Sequence, residues 1–206
     1  MDLRLQQLLE VASPDWMEAR VQALLRTPPP SGPATSRTAV AVGCESRRDE
    51  TALLLADWAC YEGTDRVTLA RLRVALAAFP QGFRSWWLHY PEDGWQPVGY
   101  SGWHPISEAT FRHLESEGGS SDRTVAPLKE TPRASSYLYL FNYSVIPALR
   151  GGEVARQLLS HLGKEIRSAA PRALAAITVS KDGARVAQRF GLRPSKAGLY
   201  LWREPS

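Results

Sequence analysis

The sequence predicts an α/β fold of the α+β kind, a mixed sheet with flanking helices and a small helical appendage ahead of it. Two stretches carry that reading. Residues 134–168, ASSYLYLFNYSVIPALRGGEVARQLLSHLGKEIRS, run as a buried strand, a proline break, a glycine turn and an amphipathic helix. Two aromatic runs, FRSWWLHY and QPVGYSGWH, flank Pro91-Glu92-Asp93-Gly94, and Asp-Gly between such runs is a strong hairpin signal.

Residues 2–26 divide at Ser13-Pro14-Asp15 into two short helices, with Ser13 as N-cap and Pro14 at the first helical position. A Pro/Ser/Gly-rich linker over 27–37 separates this appendage, 1–26, from a main domain over 38–206. The appendage either packs on the domain, shapes an acceptor site or mediates a homodimer.

In the main domain, Thr38 to Val42 suits a first strand closed by Gly43. One helix is predicted from Asp49 past Trp58 to a stop at Gly63, and a second, capped by Asp65, ends at Pro80. Phe83–Tyr90 and Gln96–His104 form strands two and three. Ser107 caps a helix reaching Leu114, and polar, aperiodic residues 116–132 read as a surface loop. Tyr137–Ile146 is the central strand, apolar on both faces; Pro147 cannot donate to a neighbour, so pairing fails there and strand and helix splay. The next helix starts at Gly151-Gly152. Arg172–Val179, Ala184–Phe190 and Gly198–Trp202 add a strand, a short helix and a last strand.

At 206 residues and 44% hydrophobic content the chain can bury a substantial core. It has no apolar run of bilayer length and no leader-like N-terminus, which predicts a soluble cytoplasmic protein that does not engage membranes. Cys44 and Cys60 lack metal-ligand spacing and read as buried thiols; no metal site is visible. The net charge of +4 comes mostly from scattered arginines, a weak argument for nucleic acid, whose binding needs clustered charge, and an anionic cofactor explains the bias as well.

Val145-Ile146-Pro147 followed by Arg150-Gly151-Gly152-Glu153-Val154-Ala155 resembles the central motif of the GNAT (Gcn5-related) N-acetyltransferase superfamily, Val-x-Pro and then Arg/Gln-x-x-Gly-x-Gly/Ala. The element order over about 38–203 resembles that fold too. The resemblance implies a mostly antiparallel sheet splayed between its fourth and fifth strands, with acetyl-coenzyme A or a related acyl-coenzyme A as co-substrate. It implies that backbone groups of Tyr143, Ser144 and Val145 pair with the pantetheine arm, and that Arg150 to Ala155 hold the pyrophosphate at a helix N-terminus. Glu153 stands where the family has its middle glycine. It is either a first-turn acid that satisfies an orphan N–H, or an outward-turned side chain that leaves Arg150 to clamp the pyrophosphate. In the second family signature, Lys181 and Ala187 replace the asparagine and tyrosine.

Acyl transfer to an amine needs a base, a polarised thioester carbonyl and a proton for the departing thiolate. His104 and Asn142, the latter by orienting a water, are candidates for the base. Ala187 cannot donate a proton, so Ser144, Tyr143 and Ser180 are candidates for the acid. Trp86, Trp87, Trp95, Tyr100 and Trp103 either fill the core or line an acceptor pocket. Three functions stay open: an N-acetyltransferase acting on a small-molecule or protein amine, a degenerate GNAT-fold binding module without transferase activity, and an interaction protein that works through its helical appendage and basic surface.

Overall fold

The computed structural model describes residues 13–28, 38–44, 47–118, 135–196 and 198–204. The first helix read at the N-terminus, most of the linker and most of the 116–132 loop lie outside these residues. The described elements are α1 (Pro14–Arg26), β1 (Val40–Gly43), α2 (Arg47–Trp58), α3 (Leu69–Ala78), β2 (Phe83–Tyr90), β3 (Gly94–Ile106), α4 (Glu108–Glu117), β4 (Tyr137–Val145), α5 (Glu153–Ser168), β5 (Ala173–Ile177), α6 (Lys181–Arg189), β6 (Arg193–Pro194) and β7 (Leu199–Arg203). The strands form one seven-stranded mixed sheet in the order β1-β2-β3-β4-β5-β7-β6. All neighbours are antiparallel except β4 and β5, which run parallel.

Local chemistry accounts for most boundaries. The Ser13 hydroxyl accepts from the Trp16 amide, and Ser107 does the same for Thr110. Thr68, rather than Asp65, caps α3, and Asp65 ends a short 3-10 turn that opens at Gly63. The helix α2 therefore stops at Trp58, before the glycine expected to end it. Ser180 caps α6 and starts it three residues earlier than apolar spacing suggests, because Lys181, Asp182 and Gly183 carry no hydrophobic signal. The hairpin turn closes on Gly94 at a φ of 69°, a left-handed conformation that glycine adopts without strain.

Three apolar clusters hold the layers together. Met17, Val21 and Leu24 of α1 join Leu53 and Ala56 of α2, Leu72 of α3 and Val98 and Tyr100 of β3 in the first. A second packs Leu162 and Ile166 of α5 and Ala187 of α6 on Leu138, Leu140 and Leu174. A third sets Phe111 and Leu114 of α4 against Tyr139, Ala173 and Ala175 on the other face.

Two irregularities decide where the sheet opens. Pairing between β4 and β5 runs from Tyr137↔Ala173 only to Leu140↔Ala176, so residues 141–145 have no strand neighbour on that edge. Between β3 and β4 the register passes from Gly102↔Asn142 to Trp103↔Leu140, which leaves Phe141 as a bulge. The alternation of side chains resets there: Leu138 and Leu140 pack toward α5 and α6, whereas Asn142 and Ser144 meet residues of α2 and the loop after it.

Gly99 keeps β3 and β4 close at the mouth of this opening. A Cβ there would lie 2.4 Å from the Ser144 carbonyl oxygen and 3.1 Å from Leu158 Cδ2. Gly99→Ala should lower unfolding free energy by about 1–3 kcal/mol, the usual cost of overpacking, measured by urea denaturation.

Candidate active site

The parting of β4 and β5 opens a cleft of about 470 Å³ lined by Tyr143, Ser144 and Val145 of β4, Arg150 and Gly151 of the turn, and Ala155 and Arg156 of α5. Ser180, Asp182, Gly183, Arg185, Val186 and Arg189 close it from α6, and Cys60 and Tyr61 from the α2–α3 loop. Six of the residues expected at a cofactor site thus line one cavity: Tyr143, Ser144, Val145, Arg150, Gly151 and Ala155. Gly152 is the N-cap of α5, Val154 is buried in the core, and Lys181 is an exposed first residue of α6 that does not line the cleft.

Gly152 offers no side chain to cap α5, and among the described residues the first-turn amides have no side-chain acceptor. Glu153 does not supply one. Its carboxylate pairs with Arg156 at 2.8 and 3.1 Å and accepts from Gln157 Nε2 at 3.5 Å, which corrects the expectation that it satisfies an orphan N–H. The hydrogen bond from Arg156 holds its carboxyl below the usual carboxylate range, and Glu153 does not line the cleft.

Four arginines face this cavity. Arg156 is paired with Glu153, and Arg185 with Asp182 at 3.0 Å. Arg150 donates through Nε to the Val145 carbonyl at 3.2 Å; among the described residues neither it nor Arg189 has a carboxylate partner. The open strand edge, the uncapped helix start and the positive charge together suit a long, polyanionic ligand with an amide-bearing arm. Arg156, Arg185 and Arg189 escaped the sequence reading because isolated arginines on amphipathic helices look like ordinary solvated side chains.

Under the inner end of the cleft lies a polar cluster that the sequence did not announce. Asp57, on the last turn of α2 and 1% exposed, accepts from the Val67 amide at 2.7 Å and from the Tyr100 hydroxyl at 2.8 Å. Asn142 Nδ2 contacts the same carboxylate oxygen at 3.3 Å and also donates to the Tyr100 hydroxyl. On its other side, Asn142 Oδ1 accepts from Ser144 Oγ at 2.6 Å and from the Tyr61 hydroxyl at 3.4 Å. Burial pushes Asp57 up to about 6, against the pull of its hydrogen-bond donors and Arg66. The same cause pushes Tyr61 up to about 12 and Cys60 up to about 11, so both keep their protons at neutral pH.

Arg66 fastens the loop that carries Cys60 and Tyr61. It donates to the carbonyls of Tyr61 at 2.9 Å and Trp58 at 3.2 Å, lies 5.0 Å over the Trp58 ring, and pairs with Glu18 of α1 at 2.9 Å. The α1 helix is therefore tied to the lip of the cleft.

His104 is not brought to this site. It is fully buried against Tyr139 and Phe141, with Nδ1 3.1 Å from the Pro105 carbonyl and Nε2 unpartnered among the described residues, and burial pushes it down to about 4. It pairs across the ladder with Tyr139, farther along the strands than the Gly102↔Asn142 pair, and does not line the cleft. The aromatic residues of the hairpin do not line the cleft either: Trp86, Trp87 and Tyr100 are core, Trp103 is half-buried against Phe79, and Trp95 is exposed beside His89.

No family model and no curated protein matches the sequence. Solved structures do match in shape. The loading GNATL domain of CurA from Lyngbya majuscula superposes with a TM-score of 0.62 at 12% identity, over 81% of this chain and 98% of that one. The NatC complex bound to Gag peptide and CoA gives 0.58 at 10% identity, over 81% and 99%. The GphF GNAT-like decarboxylase in complex with isobutyryl-CoA gives 0.53 at 19%, over 76% and 72%. At such identities the likeness is one of fold.

Asp57 has a stability consequence with a definite sign. Its folded value lies above its ordinary 3.8, so its contribution to stability is complete below about pH 4 and is lost as pH rises through about 6. The loss is of the order of 3 kcal/mol at about 1.4 kcal/mol per pH unit. Urea unfolding of the wild type at pH 4 and pH 7 should show this fall, and Asp57→Asn should reduce it.

Proposed function

The chain has the GNAT fold, and from the cleft at the parting of β4 and β5 we propose that it is an acyl-coenzyme A-dependent N-acyltransferase, with acetyl-coenzyme A as donor and a small-molecule or peptide amine as acceptor. The observation that carries this reading is the joining of an unpaired β4 edge to an uncapped, arginine-flanked helix N-terminus in one cavity. Among the structural neighbours, NatC is bound to CoA and a peptide, and the GphF enzyme to isobutyryl-CoA. Both support the donor class.

In this reading the backbone of Tyr143, Ser144 and Val145 would hold the pantetheine arm through strand-like hydrogen bonds. Arg150, Gly151, Gly152 and the first-turn amides of α5 would hold the pyrophosphate, with Arg156, Arg185 and Arg189 nearest to its outer charges. Attack by the amine nitrogen on the thioester carbon forms the C–N bond as the C–S bond breaks. The amine gives up one proton to solvent water and the thiolate gains one from it. Among the described residues Asp182 is the one carboxylate lining the cleft, and it pairs with Arg185 at 3.0 Å.

Tyr61 takes over part of the role denied to Ala187, which is buried against Leu192 and the α5 stripe. A phenol held near 12 does not hand its proton to a thiolate whose conjugate acid has an ordinary value of about 8.5. It stabilises the departing sulfur by donating a hydrogen bond. Tyr143 is less available, because its hydroxyl donates to the Ala155 carbonyl at 2.7 Å.

Calorimetric titration with acetyl-coenzyme A should give saturable micromolar binding that weakens without the 3′-phosphate; no binding at millimolar ligand overturns the assignment. Arg150→Ala and Arg189→Ala should each weaken binding about tenfold, as expected for a charge-assisted contact. Glu153→Gly should change affinity less than about threefold, since a surface ion pair is worth little and this one lies outside the cavity.

A further inference from the structure

We propose that Asp57 is a positioning residue: through Asn142 it holds the Ser144 hydroxyl as a hydrogen-bond acceptor aimed at an N–H group, the nitrogen of the acceptor amine, at the acyl end of the cleft. The inference rests on the acyltransferase reading above and assigns the part of the cavity that recognises the second substrate.

The argument is one of donor and acceptor parity. An ionised carboxylate only accepts hydrogen bonds, and an amide NH2 only donates them. Asn142 has one end 3.3 Å from Asp57 Oδ2 and the other 2.6 Å from Ser144 Oγ. With Asp57 charged, Nδ2 must face the carboxylate, so Oδ1 must face Ser144. The flipped amide would set its oxygen against the carboxylate oxygen, two buried acceptors without a proton between them. A hydroxyl has one proton, and at 2.6 Å Ser144 commits it to Asn142. What Ser144 offers elsewhere is lone pairs, and Ser144 lines the cleft.

The two hydroxyls on Asn142 Oδ1 are not equivalent. Tyr61 stands farther off, at 3.4 Å from Oδ1 and 3.5 Å from Ser144 Oγ, so its proton is free to turn toward a departing sulfur. Ser144 accepts at the nitrogen while Tyr61 donates at the thiolate, which matches the two polarities an acyl transfer presents.

The groups around Asp57 support the charged form at neutral pH. The Val67 amide and Arg66 face it from the α2–α3 loop, the Tyr100 hydroxyl from β3 and Asn142 from β4. Cys60 and Tyr61 follow it in sequence and stay neutral, Arg150 acts on both of these, and Glu18 of α1 is engaged by Arg66.

The test needs no knowledge of the natural acceptor. Two probes replace the thioester with a stable arm: coenzyme A carrying S–CH2–C(=O)–NH–CH3, and the matching methyl ester, which lacks only the N–H. At pH 7.5 the wild type should bind the amide about three- to tenfold tighter than the ester, the worth of one hydrogen bond. That preference should fade as pH falls below about 6, where Asp57 takes up a proton. Asp57→Asn and Ser144→Ala should bind the two probes equally. Should Asp57→Asn fail to fold, Tyr100→Phe removes one donor from the carboxylate and should move the fading of the preference to higher pH. A wild type that binds coenzyme A but does not distinguish the probes overturns this inference and leaves the acyltransferase reading standing, as does an unaltered preference in Asp57→Asn or an unmoved pH limb in Tyr100→Phe. A wild type that binds neither probe nor coenzyme A overturns both.

Discussion

Pairing between β4 and β5 ends at Leu140 and Ala176, and the rest of the molecule is arranged around the gap that follows. A sheet edge inside a protein leaves backbone donors and acceptors that must find partners or stay reachable by solvent. Here the edge of residues 141–145 faces a cavity whose far wall is α6 and whose floor is the start of α5. Pro147 lies just past the end of β4, where a residue without an amide proton cannot extend the ladder. Gly99 lets β3 and Leu158 approach closely enough to hold the opened strand from its other side.

The bulge at Phe141 gives that gap its chemistry. Without it, Asn142 and Ser144 would continue the side of β4 that carries Leu138 and Leu140 into the α5–α6 core. One extra residue turns them toward the end of α2, where Asp57, Tyr100 and Tyr61 complete a satisfied polar network. The network is costly, since burial pushes Asp57 up to about 6 and the ionised carboxylate weakens the fold at neutral pH. Carboxylates that do not earn their keep through function are seldom held this way, because an apolar residue would be more stable.

Arginines face the cleft, and the acids in and beside it are each paired with one of them. Glu153 is turned onto Arg156 and Asp182 onto Arg185, both as helix-local pairs one turn apart. The Glu153 carboxylate is therefore taken up by a neighbour on the same helix. On the function proposed above, the phenol of Tyr61, on a loop that Arg66 fastens to α1, would meet the departing sulfur where Ala187 cannot.

The sequence by itself determined the elements whose signals are local. The hairpin about Asp93-Gly94, the buried strand to Val145, the glycine start of α5 and the cap at Ser107 all follow from periodicity and turn chemistry, and the resemblance of Val145 to Ala155 to a known motif located the cleft. Four residues of that stretch, Val145, Arg150, Gly151 and Ala155, do line it. Tertiary structure alone decided the rest. A bulge leaves no mark in the residues of the strand, so the turn of Asn142 and Ser144 away from the side of Leu138 and Leu140 could not be read. Asp57 and Asn142 lie 85 residues apart, and nothing in a short acidic residue near a helix end announces a partner at that distance. Which arginines converge on one cavity is likewise set by how α5 and α6 pack on the sheet, since each taken singly is a solvated side chain.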